Sequence, residues 1–358
     1  MTKKRMIANI ILILAITVLV GIIVFSLDDI SSVFDVIKTT RYQDILIAIA
    51  LLLLYFALWP VTVVILTRLI DRQIKIKDIY IIGATEHFFN GITPFSSGGQ
   101  PFEVYAFSQK GIKAKDSTGI LMMNFISFLI ATNTFAIASL FYYESFMKEM
   151  SNFAAVTIIG FTMNFLVLVI IIAFGVSRRF SSLIVKLARA LCRFRFLKKL
   201  IEPRIPNLEE YIEGVQSAFR HLMSHKFVFL LCFLINVVKM FVYYAIPFFI
   251  LKALHVQIGW NNLIYVILGT SFATTMVVFL PTPGSSGGIE FAFKSIFASI
   301  QGVTSTVATS GMLLWRAITF FLPILLSFGA YLLFNHRVKK DERRKETLPD
   351  AGSDLCRK

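Results

Sequence analysis

The chain has 358 residues, 56% of them apolar and only 16% charged, with a mean hydropathy of +0.74. Water-soluble chains carry about 25% charge, so this composition excludes a soluble fold and calls for lipid as the solvent of much of the surface. A formal charge of +15 would suit nucleic acid, but on an apolar chain a basic surplus follows membrane topology, and no nucleic-acid partner is expected.

In chain order, six segments are long and apolar enough to cross a hydrocarbon core of about 30 Å: 7–27, 45–66, 118–142, 153–176, 227–251 and 311–334. The first lacks a small-residue cleavage site before Asp28 and Asp29, which predicts a retained span and not a signal peptide. Two further apolar stretches, 78–108 and 262–300, are interrupted by Gly, Pro and Ser, so each is predicted as two half-helices around a break. The segment 177–226 holds 11 Lys and Arg among Phe180, Leu183, Leu187, Leu191 and Phe194 at helical spacing. It predicts an amphipathic cytoplasmic insert that meets anionic lipids of that leaflet or else anchors the topology beneath the bundle. A second helix is expected from Pro206-Asn207, and residues 335–358 read as a disordered cytoplasmic tail.

With the N-terminus in the cytoplasm, 29 of the 36 Lys and Arg fall on the inner side and 4 on the outer, as the positive-inside rule requires. That distribution holds only if both broken stretches return to the side they entered from. The predicted fold is therefore an all-α polytopic membrane protein of six spanning helices plus two re-entrant helical hairpins. The breaks Thr93-Pro94-Phe95-Ser96-Ser97-Gly98-Gly99 and Thr282-Pro283-Gly284-Ser285-Ser286-Gly287-Gly288 match at six of seven positions with an offset of 189. Both sit in the same order of elements: two spans, a hairpin, one span. Residues 1–152 and 153–334 are thus expected as inverted-topology repeats, a common build of secondary transporters.

After each break the first N–H groups of a new half-helix point outward with the positive end of the dipole, which attracts anions such as phosphate. The candidate substrate-binding residues are Thr93, Ser96, Ser97, Gly98, Gly99, Gln100 and Glu103 at the first break. At the second they are Thr282, Ser285, Ser286, Gly287, Gly288 and Glu290, joined by Lys239 and Arg316. Lys239 lies in the middle of its span, where a charge costs about 2.5–3.5 kcal/mol, and should face protein. Arg316 lies near the outer end of the last span and could snorkel. Three acids (Glu86, Glu103, Glu290) and three bases (Lys239, Lys294, Arg316) are assigned to membrane depth, so the embedded set sums to zero. Lys239, Arg316 and the loop N–H groups are expected to bind an anionic headgroup, and Glu103 and Glu290 a cationic amine or a proton. The acids would also stabilise the helix dipole. Glu86 and His87 read as a proton relay or, for His87, as a packing residue. His221 and His225 have helical spacing without an acidic or thiol partner, Cys192, Cys232 and Cys356 are scattered, and no metal or other cofactor is expected. No Walker loop, HEXXH pattern or nucleophile elbow occurs, and no catalytic residue is assigned.

The segments Thr93–Glu103 (TPFSSGGQPFE) and Pro281–Glu290 (PTPGSSGGIE), with Trp315-Arg316 and Thr319-Phe320-Phe321-Leu322-Pro323, resemble the lysylphosphatidylglycerol synthase transmembrane family. This family comprises the membrane half of the multiple peptide resistance factor and its stand-alone relatives. The resemblance covers nearly the whole length. It implies a bacterial plasma-membrane flippase for aminoacylated phosphatidylglycerol, contributing to resistance against cationic antimicrobial peptides. The synthase's soluble aminoacyl-transfer domain has no counterpart in these residues, so the charge-altered lipid is expected from a separate lipid-modifying enzyme. A lipid flippase or scramblase is the expected function, with a phospholipid as substrate and a second copy of the chain as a further partner to consider. The alternatives are a proton-coupled transporter of a small anionic solute, and phosphatidylglycerol lysyltransferase activity as in the family's name.

Overall fold

The computed structural model describes residues 35–147, 153–192, 205–300 and 302–347. Among the described residues all regular elements are helices and none is a strand, as lipid demands of backbone groups that must find partners within their own segment. Five helical runs among the described residues are long and apolar enough to cross a membrane: Tyr42–Ile70, Ala114–Met147, Ala154–Val176, Lys226–Ala253 and Ser305–Asp341. They cover the expected spans 45–66, 118–142, 153–176, 227–251 and 311–334, while 7–27 lies outside the described residues.

The first run comprises α1 (Tyr42–Leu58) and α2 (Val61–Ile70). Pro60 has no N–H to donate, which interrupts the hydrogen-bond ladder, but Trp59 and Pro60 keep right-handed backbone angles and the chain continues. The first broken stretch comprises α3 (Ile76–Ala84), α4 (Glu86–Gly91), a 3-10 turn at Pro94–Ser96, and α5 (Gly99–Ser108). Then follow α6 (Ala114–Ser139), α7 (Tyr143–Met147), α8 (Ala154–Val176), α9 (Arg178–Leu191), α10 (Ile205–Ser224) and α11 (Lys226–Ala253). The second broken stretch comprises α12 (Leu263–Val277), a turn at Pro283–Ser285, and α13 (Gly288–Ala298). It leads to α14 (Ser305–Arg316), a π-helical turn at Ala317–Phe321, and α15 (Leu322–Thr347).

The sequence repeat is also a backbone repeat. Phe95 and Ser96 have φ of 55° and 49°, and Gly284 and Ser285, 189 positions on, have φ of 60° and 53°. Left-handed angles at three non-glycine residues are uncommon and end each helix arm at the same point. The two turns pack against each other. Around them α6 packs on α12, and α15 packs on α3 and α4. Small residues permit such approaches. A Cβ on Gly160 of α8 would lie 2.2 Å from the Met276 carbonyl oxygen of α12.

Two large apolar cores flank the turns. One gathers Phe248, Phe272, Phe293, Phe297 and Trp315, the other Leu66, Phe107, Met123 and Phe219. Phe219 belongs to α10, which buries its apolar face against α6 and donates from Gln216 Nε2 to the Phe174 carbonyl at 2.6 Å. The second part of the basic insert therefore packs against α6, while α9 leaves Leu183 and Leu187 exposed. Phe194 lies outside the described residues.

The tail departs from expectation. Residues 335–347 continue α15 as helix, while 348–358 lie outside the described residues. Lys, Arg and Glu are good helix formers, and the extension is tied down by Arg337 to Asp78 at 2.8 Å and Asp341 to Lys110 at 2.7 Å.

Candidate functional site

The second break is closed on itself. Arg316, the last residue of α14, places Nε 2.8 Å from Glu290 Oε1, donates from Nη2 to Ser286 Oγ at 2.8 Å and from Nη1 to the Gly284 carbonyl at 3.3 Å. Its guanidinium also lies 4.1 Å from the Phe320 ring centroid, in the π-helical turn that follows it. Glu290 uses its other oxygen to accept the Gly287 N–H at 2.7 Å, which caps the start of α13. Thr282 Oγ1 donates to the Ser286 carbonyl at 2.9 Å. Arg316 is thus buried and ion-paired and does not snorkel; it lies at the C-terminal end of α14, which begins at Ser305. Glu290 is spent on Arg316 and Gly287, so it offers no free carboxylate to an amine.

The first break uses different chemistry for the same end. Thr93 Oγ1 accepts the Gly98 N–H at 2.8 Å and donates to the Phe89 carbonyl, while Asn90 Oδ1 accepts the Gly99 N–H at 2.8 Å. A Cβ on Gly99 would lie 2.5 Å from Glu86 Cγ, so the glycine lets the start of α5 press on α4. The position matching Glu290 is Pro101, which explains why a side chain outside the α5 helix has to cap it. In both breaks, N–H groups expected to face an anion are hydrogen-bonded by the protein's own side chains.

Between the breaks lies a cavity of about 440 Å³ lined by Ser96, Gln100, Glu86, Glu103, Lys239 and Ser285 together with Tyr55, Trp59, Asn90, Asn124 and Tyr243. Lys239, 1% exposed, holds its ammonium 3.9 Å from the Trp59 ring centroid and 5.4 Å from that of Phe128. Trp59 Nε1 donates to Glu86 Oε2 at 2.6 Å, and Asn90 Nδ2 to Glu86 Oε1 at 3.3 Å. Glu103 is 0% exposed and neither of its oxygens has a hydrogen-bond partner among the described residues. A second cavity of about 240 Å³ shares Ser96 and Ser285 and reaches His87, Gly284 and Arg316. The other candidates, Thr93, Ser97, Gly98 and Gly99, and Thr282, Ser286, Gly287, Gly288 and Glu290, flank the turns or start the helices after them and line neither cavity. Lys294, half-buried on α13, also lies outside both.

Trp59, Asn90, Asn124 and Tyr243 are cavity residues that the sequence reading did not single out. Asn90 carried a local signal, four residues after Glu86 on one helix face. A Trp-Pro pair inside an apolar span was the signal for Trp59. Nothing local marks Asn124, which accepts from Thr62 Oγ1 at 2.6 Å, or Tyr243. Beside the cavity an apolar groove of about 630 Å³ runs between α5 and α6 on one side and α8 on the other, sharing Gln100, Leu121 and Phe125 with it.

A protein described as uncharacterized from Mycoplasma pneumoniae is 27% identical over 265 residues, 67% of this chain and 64% of that protein. The chain thus spans just under two thirds of that relative. A UPF0104 membrane protein of Archaeoglobus fulgidus is 24% identical over 341 residues, 93% of this chain and 98% of its own. The lysylphosphatidylglycerol synthase TM region matches residues 10–327. With its apolar helical runs, the chain is a multi-pass membrane protein and belongs to the lysylphosphatidylglycerol synthase TM family.

Proposed function

We propose that the chain moves a phospholipid headgroup between leaflets through the cavity between the two breaks, with an aminoacylated phosphatidylglycerol or a related lipid as substrate. The observation that carries this reading is the junction of two unlike spaces: a cavity with the buried Lys239, Glu86 and Glu103 on its wall, and an apolar groove that shares Gln100, Leu121 and Phe125 with it. A headgroup suits the first and an acyl chain the second. Keeping the chains in apolar surroundings avoids about 0.8 kcal/mol per methylene exposed to water. Lys239, free of any carboxylate within 4.0 Å among the described residues, is the cation for the phosphate, while Arg316 serves the turn.

In this reading the chain has six spans and two re-entrant hairpins, and residues 1–152 and 153–334 are inverted halves. The matched backbone angles, the touching turns and the reciprocal packing of α6 and α15 support it. The protein sits in a bacterial plasma membrane with both termini and the 177–226 insert in the cytoplasm, next to anionic lipids. Reconstitution into liposomes with reporter lipids of several headgroups tests the function: exchange between leaflets is expected for at least one anionic or zwitterionic lipid. Exchange of none would reject it.

A further inference from the structure

We propose that Glu103 is a proton-binding site that couples proton movement to transport; the coupling, though not the site itself, rests on the translocation reading above. Glu103 faces the cavity of about 440 Å³, is 0% exposed, and has neither oxygen hydrogen-bonded among the described residues. A bare carboxylate removed from water with no donor is costly, and a bound proton removes the charge. The other buried carboxylates are already answered. Glu290 has Arg316 and the Gly287 N–H, and Glu86 has the N–H groups of Trp59 and Asn90.

The charge balance points the same way. Among the described residues the buried ionisable acids and bases are Glu86, Glu103 and Glu290 against Lys239 and Arg316. The third base assigned to membrane depth from sequence, Lys294, lies outside both cavities. One proton on Glu103 brings the buried set to zero. A headgroup phosphate arriving at Lys239 adds negative charge to the cavity that holds Glu103, which strengthens proton binding there; a departing headgroup weakens it. That reciprocity is the linkage a coupled transporter needs.

The titratable groups around Glu103 are few. The cavity wall adds Tyr55, Glu86, Lys239, Tyr243 and Tyr244. Of the elements packed on α5, α4 brings Glu86 and His87, whose Nδ1 is buried without a partner among the described residues. From α3 come Tyr80, which donates to the Ala57 carbonyl, and Asp78, which pairs with Lys110 and Arg337. To the cavity α6 contributes only neutral side chains.

Infrared spectra of the full chain in lipid, made with isotope-labelled glutamate carboxyls, read the site directly. At neutral pH a protonated-carboxyl band is expected in the wild type and in E290Q, and its loss in E103Q. Absence of the band, or its survival in E103Q, overturns the proposal. The neutral amide mimics the protonated acid, so E103Q should melt with the wild type, which is the folding control. In liposomes, moving one proton per lipid shifts the leaflet distribution about tenfold per unit of imposed pH gradient; the wild type should show this shift and E103Q should not, whatever its rate of exchange. A wild-type distribution that ignores pH, or follows a sodium gradient instead, overturns the coupling. If the wild type exchanges no lipid at all, the translocation reading fails, while the infrared band still decides whether Glu103 holds a proton.

Discussion

Lys239 and Glu86 never touch, yet Trp59 links them: its ring face carries the ammonium at 3.9 Å and its N–H is donated to the carboxylate at 2.6 Å. The indole thus contacts both groups of opposite charge on the cavity wall. Trp59→Phe keeps a ring but removes the donor. A hydrogen bond to a charged group contributes about 1.5–3 kcal/mol, so the melting temperature in detergent should fall measurably. Trp59→Leu, which also loses the cation–π contact, should fall further.

Lys239 is expected to separate stability from transport. An unpaired buried cation is not a stabilising feature, so Lys239→Met should leave the melting temperature at or above that of the wild type while lipid exchange in liposomes drops steeply. Unchanged exchange would remove Lys239 from the substrate path.

Arg316 and Glu290 should behave in the opposite way. Arg316→Met leaves Glu290 buried without its cation, and breaking such a pair costs about 3–5 kcal/mol. The double variant Arg316→Met with Glu290→Met should recover much of the lost stability, because no lone charge remains. A denaturation series on the two single variants and the double measures this directly. Additive losses would contradict the pairing at 2.8 Å.

Gly160→Ala probes the packing of α8 on α12. The new methyl would meet the Met276 carbonyl oxygen at 2.2 Å, a backbone atom that cannot swing aside. Overpacking of this kind costs about 1–3 kcal/mol. Gly302→Ser, where a Cβ would meet nothing within 4 Å but φ is +86°, should cost only the strain of a left-handed residue, about 1–3 kcal/mol at most. Thermal melts of both variants measure the two costs; a wild-type melting temperature for Gly160→Ala would contradict the close approach of α8 to α12.

The parts of this protein that depend on neighbouring residues were legible in its sequence. Apolar runs marked five of the described helices, and the paired Ser-Ser-Gly-Gly segments marked two turns whose left-handed angles recur at an offset of 189. What depended on distant contacts was not. Glu103 and Glu290 look alike on paper, each near the start of a half-helix, but Glu290 meets Arg316 from 26 residues away and Glu103 meets no donor among the described residues. Trp59 and Lys239, 180 positions apart, read as a span residue and a lone charge until the fold stacks one on the other. The helical tail was missed because its anchors, Asp78 and Lys110, lie in the first half.

The most direct test of the central claim, that the two touching turns bound the path of the headgroup, is a cross-link. In a background with Cys192, Cys232 and Cys356 replaced by serine, Ser96→Cys and Ser285→Cys place one thiol on each turn, both at the cavity wall. Oxidation should join the turns and stop lipid exchange in liposomes, and reduction should restore it. Failure of the thiols to join, or exchange that continues at the same rate once they are joined, would contradict the account.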